Sequence, residues 1–229
     1  MALEIQQPHY TTPACAEILE NIARASRRSM PGLVAKLLLD YKIRRKPFEV
    51  AFKTADLKNV PMAISRDEGE FLYQITRARK AALVVEFGTS FGVSAIYIAS
   101  ALRDQGFGRF IGTEIEASKV AQARRNLAAA GLDAVAEVRV GDARETLANI
   151  AEPIDILFLD GWKNLYLPIL TLLLPQLPPG SILLADNMKR FKRELAPFRE
   201  FVRNPAQGRF LTSTLPIGDG LELAIRLDG

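Results

Sequence analysis

The stretch that decides the fold is Ala82–Gly92, which reads ALVVEFGTSFG. Residues 82–87 form a short apolar run, which is typical of a buried strand. Gly88 and Gly92 delimit a tight turn, and residues 93–102 have a helical pattern. A buried strand, a glycine-containing turn and a helix open a unit in which parallel strands alternate with helices.

The same alternation continues along the rest of the chain. Further strands are predicted at residues 110–113, 135–140, 154–159 and 181–185, and helices at residues 116–130, 144–150, 165–174 and 190–203. The last two strands, residues 210–215 and 221–227, are separated by a link so short that it requires an antiparallel hairpin. The sequence therefore predicts an α/β fold. Its seven-stranded sheet is Rossmann-like, doubly wound and mostly parallel, with a C-terminal antiparallel hairpin.

The first 60 residues have a different pattern and are predicted to form an N-terminal helical extension. Two helices are expected at residues 13–28 and 31–45, with a break at Pro31-Gly32. Another helix should begin near Ser65, because Ser65 and Glu68 have the spacing of a capping box. The predicted division is a helical extension over residues 1–60, which forms a cap or a dimer element, and a main domain over residues 61–229.

The composition excludes several kinds of chemistry. Of the 229 residues 48% are hydrophobic, which is enough to build a sizeable core. Cys15 is the only cysteine and His9 the only histidine, so a disulfide within the chain and a zinc site of Cys and His are excluded. A histidine-based catalytic triad would have to recruit His9 from the N-terminal tail. Catalysis is therefore assigned to carboxylates, amides, lysines and backbone groups.

Charge and hydropathy bear on the partners of the chain. No uninterrupted apolar run reaches the roughly 18–20 residues that a membrane span needs, and no apolar signal region begins the sequence. We therefore expect a cytoplasmic location and no membrane partner. The net charge of +4 comes entirely from residues 1–60, which hold ten Lys or Arg and six Asp or Glu. Such an arm can bind nucleic acid, but a solvated helical face also explains it and is favoured.

Acidic residues stand at or near the predicted C-terminal ends of all five parallel strands, where open α/β sheets bind ligands. They are Glu86, Glu114, Asp142, Asp160 and Asp186. Ser90 occupies the position of the middle glycine of a GxGxxG turn, and that glycine is needed for a pyrophosphate to lie against the backbone. Glu86 suits a cationic ligand without phosphate, such as S-adenosylmethionine. Glu114 lies 22 residues after Gly92, near the spacing of an acid that binds ribose hydroxyls.

Two neighbouring strand ends carry a second constellation. Asp160 ends the fourth strand, and Asp186 and Asn187 end the fifth. Two carboxylates and an amide are hard oxygen ligands, which suit Mg²⁺ or another divalent cation. A pair of helix N-caps is the alternative explanation, but it leaves out Lys163, three residues after Asp160. Because a divalent cation disfavours a neighbouring ammonium, Lys163 is the predicted general base.

Several segments resemble a known family, the metal-dependent O-methyltransferases of the catechol and caffeoyl-CoA type, in their bacterial small-molecule form. The segments FLDGWKNLY at residues 158–166 and LLADNM at residues 183–188 are similar to the metal and catalytic segments of catechol O-methyltransferase. MAISRDEGEFL at residues 62–72 resembles the entry segment of caffeoyl-CoA O-methyltransferases, and GDGL at residues 218–221 is also similar. The resemblance covers most of the chain, from about Pro61 to its end.

The resemblance implies a role for each matched residue. Mg²⁺ would be held by Asp160, Asp186 and Asn187, and Lys163 would take the proton from the hydroxyl that is methylated. S-adenosylmethionine would be lined by Ile64, Glu86, Gly88, Ser94, Glu114, Ile115, Asp142, Ala143 and Asp160. Residues 61–229 would be the S-adenosylmethionine-dependent methyltransferase domain. The substrate would be a small, catechol-like hydroxylated molecule, with no nucleic-acid partner, and a homodimer is expected because caffeoyl-CoA-type relatives are dimers.

Two positions depart from the catechol O-methyltransferase pattern. Gly161 stands where that enzyme has a histidine, and Pro216 stands where it has the glutamate that contacts the second hydroxyl. Vicinal hydroxyls that chelate the metal directly remain compatible with both departures. The cations of residues 189–193 are candidate contacts for an acidic group of the substrate, although a solvated helix face explains them slightly better.

Two other classes of function remain open. A methyltransferase of RNA or another macromolecule would use the basic N-terminal arm, but it does not explain the predicted metal ligands. A nicotinamide oxidoreductase is opposed by Ser90 in the first turn.

Overall fold

The computed structural model describes residues 7–37, 39, 43–45, 60–204 and 206–228. Seven strands form one sheet in the order β3-β2-β1-β4-β5-β7-β6. They are β1 (Leu83–Phe87), β2 (Arg109–Glu114), β3 (Ala136–Val140), β4 (Ile156–Leu159), β5 (Ile182–Ala185), β6 (Phe210–Leu215) and β7 (Leu221–Arg226). The strands β1 to β5 pair in parallel, whereas β7 is antiparallel to both β5 and β6. The predicted mostly parallel sheet with a terminal hairpin is confirmed.

Helices cover both faces of this sheet. They are α1 (Pro13–Leu37), α2 (Arg66–Arg79), α3 (Val93–Gln105), α4 (Ala117–Ala129), α5 (Ala143–Thr146), α6 (Tyr166–Leu173) and α7 (Ala196–Arg203). One apolar core joins the sheet to the region of α5, α6 and α7. A second core joins the opposite face to α2, α3 and α4, with Cys15 of α1 at its margin. The central strands are buried throughout because helices cover both faces of the sheet. This is the doubly wound arrangement that the sequence predicted.

The predicted pair of N-terminal helices is wrong. A single helix, α1, continues through Pro31, although proline removes one backbone hydrogen bond from a helix interior. Leu33, two residues later, is buried in a small cluster with Val60, against which Met30 and Trp162 pack. These contacts hold the helix together beyond the proline. Of the predicted stretch after Leu37, residues 38 and 40–42 lie outside the described residues.

The predicted basic helix at residues 190–203 is also too long. The helix α7 begins only at Ala196, and turns precede it. The backbone N–H groups of Met188 and Lys189 donate to the carbonyls of Gly220 and Asp219, at 3.0 and 2.9 Å. The two residues that precede the predicted helix are therefore held against the β6–β7 turn, and residues 192–195 form turns before α7 begins.

The entry to α2 agrees with the prediction. The Ser65 side chain accepts a hydrogen bond from the Glu68 backbone, and the Glu68 side chain accepts one from the Ser65 backbone, so the capping box is complete. Within the part of the chain that the structure describes, no helix is long and apolar enough to cross a membrane.

Candidate active site

A pocket opens where β1, β2, β3, β4 and β5 end, on both sides of the point where the strand order reverses between β1 and β4. Of the predicted site residues, the pocket is lined by Gly88, Glu114, Ile115, Asp142, Ala143, Asp160, Lys163 and Asn187. Glu86, Ser94 and Asp186 are buried nearby. The structure therefore brings together all but one of the predicted residues, and it does so at the edge where open α/β sheets bind ligands.

Ile64 is the exception. It lines an adjacent groove together with Tyr97 and residues of α1, and it packs against the buried side chains of that region. Met62, two residues earlier, lines the pocket instead. The entry segment thus contacts the pocket through Met62, which the sequence analysis did not select as a site residue.

Glu86 is fully buried at the end of β1. The hydroxyls of Ser94 and Thr89 lie near its carboxyl group, yet the Glu86 oxygens form no well-formed hydrogen bond with any described residue. Burial raises the pKa of Glu86 to about 7. The two hydroxyls lower this pKa in part, and the negative charges of Asp160 and Glu114 raise it further. A buried carboxyl group without a firm partner fits an ammonium group, such as the amino-acid end of S-adenosylmethionine.

Gly88 permits the close approach of β1 and β4 at the floor of the pocket. Its φ is +101°, and a Cβ at this position would lie 2.5 Å from the Gly161 nitrogen. Only glycine combines this backbone conformation with this space. A Cβ at Gly161 would in turn lie 2.5 Å from the ring of Phe87. The phenyl ring thus fills the space that a side chain at Gly161 would need, which accounts for glycine at that position.

Glu114 is fixed by the backbone around it. Its two carboxylate oxygens accept hydrogen bonds from the N–H groups of Ser90 and Glu116, both at 3.0 Å. The first turn therefore orients Glu114 at the edge of the pocket, where it can accept further hydrogen bonds from ribose hydroxyls. Ser90 has a positive φ of 49°, which is an uncommon backbone conformation for a residue other than glycine.

Asp142 caps the short helix α5 at the other end of the pocket. It accepts a hydrogen bond from the Arg144 backbone N–H at 2.9 Å and forms an ion pair with the Arg144 guanidinium. The hydrogen bond from the Arg144 side chain is the main cause of its lowered pKa. Asp142 is therefore an ionised acceptor beside Ala143, which lines the same wall.

Lys163 is buried between two oxygen atoms. Its Nζ donates to the Tyr166 hydroxyl at 2.7 Å and to Asp160 Oδ1 at 3.3 Å. The Tyr166 hydroxyl donates to the backbone carbonyl of Asp186, at 3.2 Å. A chain of polar contacts therefore connects the ends of β4 and β5 through Lys163. Tyr166 is fully buried, and the sequence analysis did not assign it a role in the site.

Asp160, Asp186 and Asn187 converge beside this chain of contacts. The carboxyl groups of Asp160 and Asp186 lie near each other, and burial together with nearby carboxylates raises the pKa of both. Asn187 has a φ of +65°, and its N–H donates to Asp186 Oδ1. Asparagine tolerates this left-handed conformation better than most residues.

The donor set fits a hard divalent cation. Two buried carboxyl groups that lie near each other repel when both are ionised, and a cation between them would remove that repulsion. Among the residues that the structure describes, no group of three or more His, Cys, Asp or Glu side chains is placed to hold a metal ion. The predicted set is of another kind, since its third member is the amide of Asn187.

Glu68 is a second residue whose role the sequence analysis missed. It is buried, and its carboxyl group lies near enough to that of Asp186 to raise the pKa of Asp186. The capping-box spacing explained Glu68 locally, and no sequence pattern signals proximity to a residue more than one hundred positions away.

The chain is similar to known methyltransferases. A family model described as a methyltransferase domain matches residues 85–188. A catechol O-methyltransferase of Niastella koreensis is 32% identical over 56% of this chain and 59% of its own length. The pig catechol O-methyltransferase is 30% identical over 57% of this chain and 73% of its own length. An O-methyltransferase of Bacillus cereus, solved in complex with SAH, is 21% identical with a TM-score of 0.66, over 90% of this chain and 99% of that one.

The chain belongs to the family of S-adenosylmethionine-dependent O-methyltransferases. It spans about three fifths of the length of the first bacterial relatives that it matches. Membership in this family argues against the nicotinamide oxidoreductase alternative.

Proposed function

We propose that this chain transfers a methyl group from S-adenosylmethionine to a hydroxyl of a small, catechol-like molecule with the help of a divalent cation, Mg²⁺ in the first instance. The observation that carries the proposal is the position of Lys163. Its buried Nζ contacts Asp160 at the point where the pocket meets Asp186 and Asn187. A proton acceptor, a set of hard oxygen ligands and a pocket for the cofactor meet there, as methylation of a hydroxyl requires.

Each residue of the site has a distinct task in this proposal. Glu86 and Glu114 hold the ammonium and ribose ends of S-adenosylmethionine, which supplies the methyl group. Asp160, Asp186 and Asn187 would hold the cation, which would supply positive charge that favours ionisation of the substrate hydroxyl. Lys163 Nζ accepts the hydroxyl proton, while Tyr166 holds that nitrogen in place. Trp162 lines the same pocket and offers an aromatic face to a planar substrate.

The N-terminal extension over residues 1–60 is assigned to covering the site or to forming a homodimer. Leu33 of α1 belongs to the cluster against which Met30 and Trp162 pack, which supports the covering role. Arg24 and Arg27 of the same helix both approach Glu20, at 3.5 and 2.8 Å. These arginines are thus partly neutralised within their own helix, which weakens the case for an RNA-binding arm.

The direct test is methyl transfer from S-adenosylmethionine to caffeic acid and dihydroxybenzoates, with Mg²⁺ and with EDTA. We expect product with Mg²⁺ and almost none with EDTA. Lys163→Ala should lose turnover by about 10²-fold or more, in the range that general-base catalysis contributes, and should still bind SAH.

Three results would count against separate parts of the proposal. Turnover in EDTA equal to that in Mg²⁺ would refute the role of the cation. Near-normal turnover of the Lys163→Ala variant would refute its role as the base. Tight binding of SAH without methylation of any catechol would move the substrate to another class, with RNA tested next.

A further inference from the structure

Glu68 lies at the junction of three elements around the proposed metal site. It belongs to the first turn of α2 and is only 4% exposed. Its carboxyl group lies near that of Asp186 at the end of β5 and raises the pKa of Asp186. The β6–β7 turn covers it from the other side, because a Cβ on Gly218 would lie 2.2 Å from Glu68 Oε1. Gly218 therefore leaves room for this carboxyl group.

The two oxygens of Glu68 have different surroundings. Oε2 accepts hydrogen bonds from the backbone N–H and the hydroxyl of Ser65, both at 2.7 Å. Oε1 is buried and accepts no hydrogen bond from any described residue. One oxygen thus completes the capping box, and the other is buried without a hydrogen-bonding partner among the described residues.

The capping box alone does not require a charge at this position. Glutamine serves at the same place in capping boxes, because its amide oxygen accepts the same backbone hydrogen bond. Burying an ionisable carboxyl group with one oxygen unpaired costs free energy. A role near Asp186 that depends on the negative charge accounts for this cost.

We propose that Glu68 is a positioning residue of the metal site, which orients the Asp186 carboxylate and adds negative charge beside the divalent cation. The inference rests on the proposed function, since it assumes that Asp160, Asp186 and Asn187 hold a cation. It adds a residue of the entry segment to that site. Glu68 thereby links the beginning of α2 to the cation through Asp186.

The test is a titration of the full chain with Mn²⁺, in which the electron paramagnetic resonance signal of the free ion measures how much Mn²⁺ is bound. Glu68→Gln keeps the shape and an acceptor for the capping box but removes the charge. We expect this variant to bind Mn²⁺ about tenfold more weakly, as is usual for residues that orient metal ligands, and to bind SAH with unchanged affinity in calorimetry.

Two variants serve as controls. Glu70→Gln removes a charge from the same helix turn, where Glu70 pairs with Arg66, whose side chain is largely exposed. Ser65→Ala removes the helix cap but leaves the charge of Glu68 in place. We expect both to bind Mn²⁺ like the unchanged chain, and Ser65→Ala to lower the thermal midpoint.

The outcomes separate this inference from the proposed function. Mn²⁺ affinity of Glu68→Gln equal to that of the unchanged chain overturns the inference and leaves the proposed function intact. Equal weakening in Glu68→Gln and Ser65→Ala also overturns it, because the effect then comes from the helix cap. Absence of Mn²⁺ binding by the unchanged chain overturns both this inference and the proposed metal dependence.

Discussion

Tyr166 determines where the amine of Lys163 lies. Its hydroxyl accepts a hydrogen bond from Lys163 Nζ at 2.7 Å and donates one to the Asp186 carbonyl at 3.2 Å. Tyr166→Phe keeps the ring in the core and removes both contacts. We expect turnover to fall by roughly tenfold to a hundredfold, because a misplaced base loses much of its effect. Binding of SAH in calorimetry should not change, and normal turnover would contradict this account of Tyr166.

Glu86 should make cofactor binding depend on pH. Its pKa of about 7 lies above the ordinary value of 4.5, so the carboxyl group is mostly neutral below pH 7 and ionised above it. Since the ionised form attracts an ammonium group, SAH should bind about tenfold more tightly at pH 8 than at pH 6, following the ionised fraction. The measurement is calorimetric titration across this range, with Glu86→Gln as the control that should flatten the profile.

The stability of the ligand-free chain should follow the opposite trend. Between pH 4.5 and about 7, the folded chain retains a proton on Glu86, whereas the unfolded chain has already released it. The contribution of Glu86 to the free energy of unfolding is therefore present below pH 4.5 and is lost as the pH rises through 7.

The strand-end acids could be selected from the sequence because the ends of buried strands follow from local patterns. Glu86, Glu114 and Asp160 are of this kind. Tyr166 and Glu68 could not be selected in the same way. Each is brought near Asp186 by tertiary structure, and each has a sufficient local explanation as a core aromatic residue or a helix-cap residue.

At the scale of elements, α7 is joined to the β6–β7 hairpin by an ion pair between the buried carboxylate of Glu222 and the partly exposed side chain of Arg203. Arg203 donates to both oxygens of Glu222, at 3.0 and 2.8 Å, and Glu222 is 1% exposed. The hydroxyls of Thr212 and Thr214 also donate to this carboxylate. Although burial opposes it, these contacts lower the pKa of Glu222.

Arg203→Met should therefore leave a buried carboxylate with only two hydroxyl partners. We expect the free energy of unfolding to fall by about 1–3 kcal/mol, the cost of leaving a buried acceptor without one of its donors. Urea unfolding measures this change. Arg109→Met is the matched control, because Arg109 pairs with Glu152 at an exposed site and should cost less than about 1 kcal/mol. Similar losses in the two variants would contradict the structural role of this ion pair.

The elements differ in how well local patterns predict them. The strands were placed to within about two residues, because buried strands are short apolar runs between turn residues. The helices α1 and α7 were misjudged for opposite reasons. Tertiary packing around Leu33 carries α1 past a proline, and backbone hydrogen bonds to the β6–β7 turn delay the beginning of α7. Neither contact is visible in the local sequence.

At the scale of the whole molecule, the site depends on the reversal of strand order between β1 and β4. The connections from β1 and β4 lead to opposite faces of the sheet, so their C-terminal ends leave a crevice. Gly88 lets the two strand ends approach closely, and Glu86 and Asp160 lie on either side of that contact. The cofactor half and the metal half of the site therefore meet at the centre of the sheet.

The N-terminal helix extends this site beyond the sheet. Leu33 is 7% exposed and shares a cluster with Val60, against which Trp162 of the pocket packs. If α1 covers the active site, Leu33→Ala should loosen Trp162 and raise the KM for a catechol substrate by roughly tenfold, because small displacements near a reacting group are costly. Binding of SAH should stay unchanged, since the cofactor residues lie at the strand ends.

Steady-state kinetics and sedimentation distinguish this role from that of a dimer element. Arg24→Ala, on an exposed part of the same helix, is the control and should leave the KM unaltered. A dimer element predicts a different result, in which Leu33→Ala shifts the sedimenting mass toward the 25.3 kDa of one chain while substrate binding in the remaining dimer is normal. An unchanged KM with unchanged mass would contradict both roles, because the contact between α1 and Trp162 would then have no effect on the site.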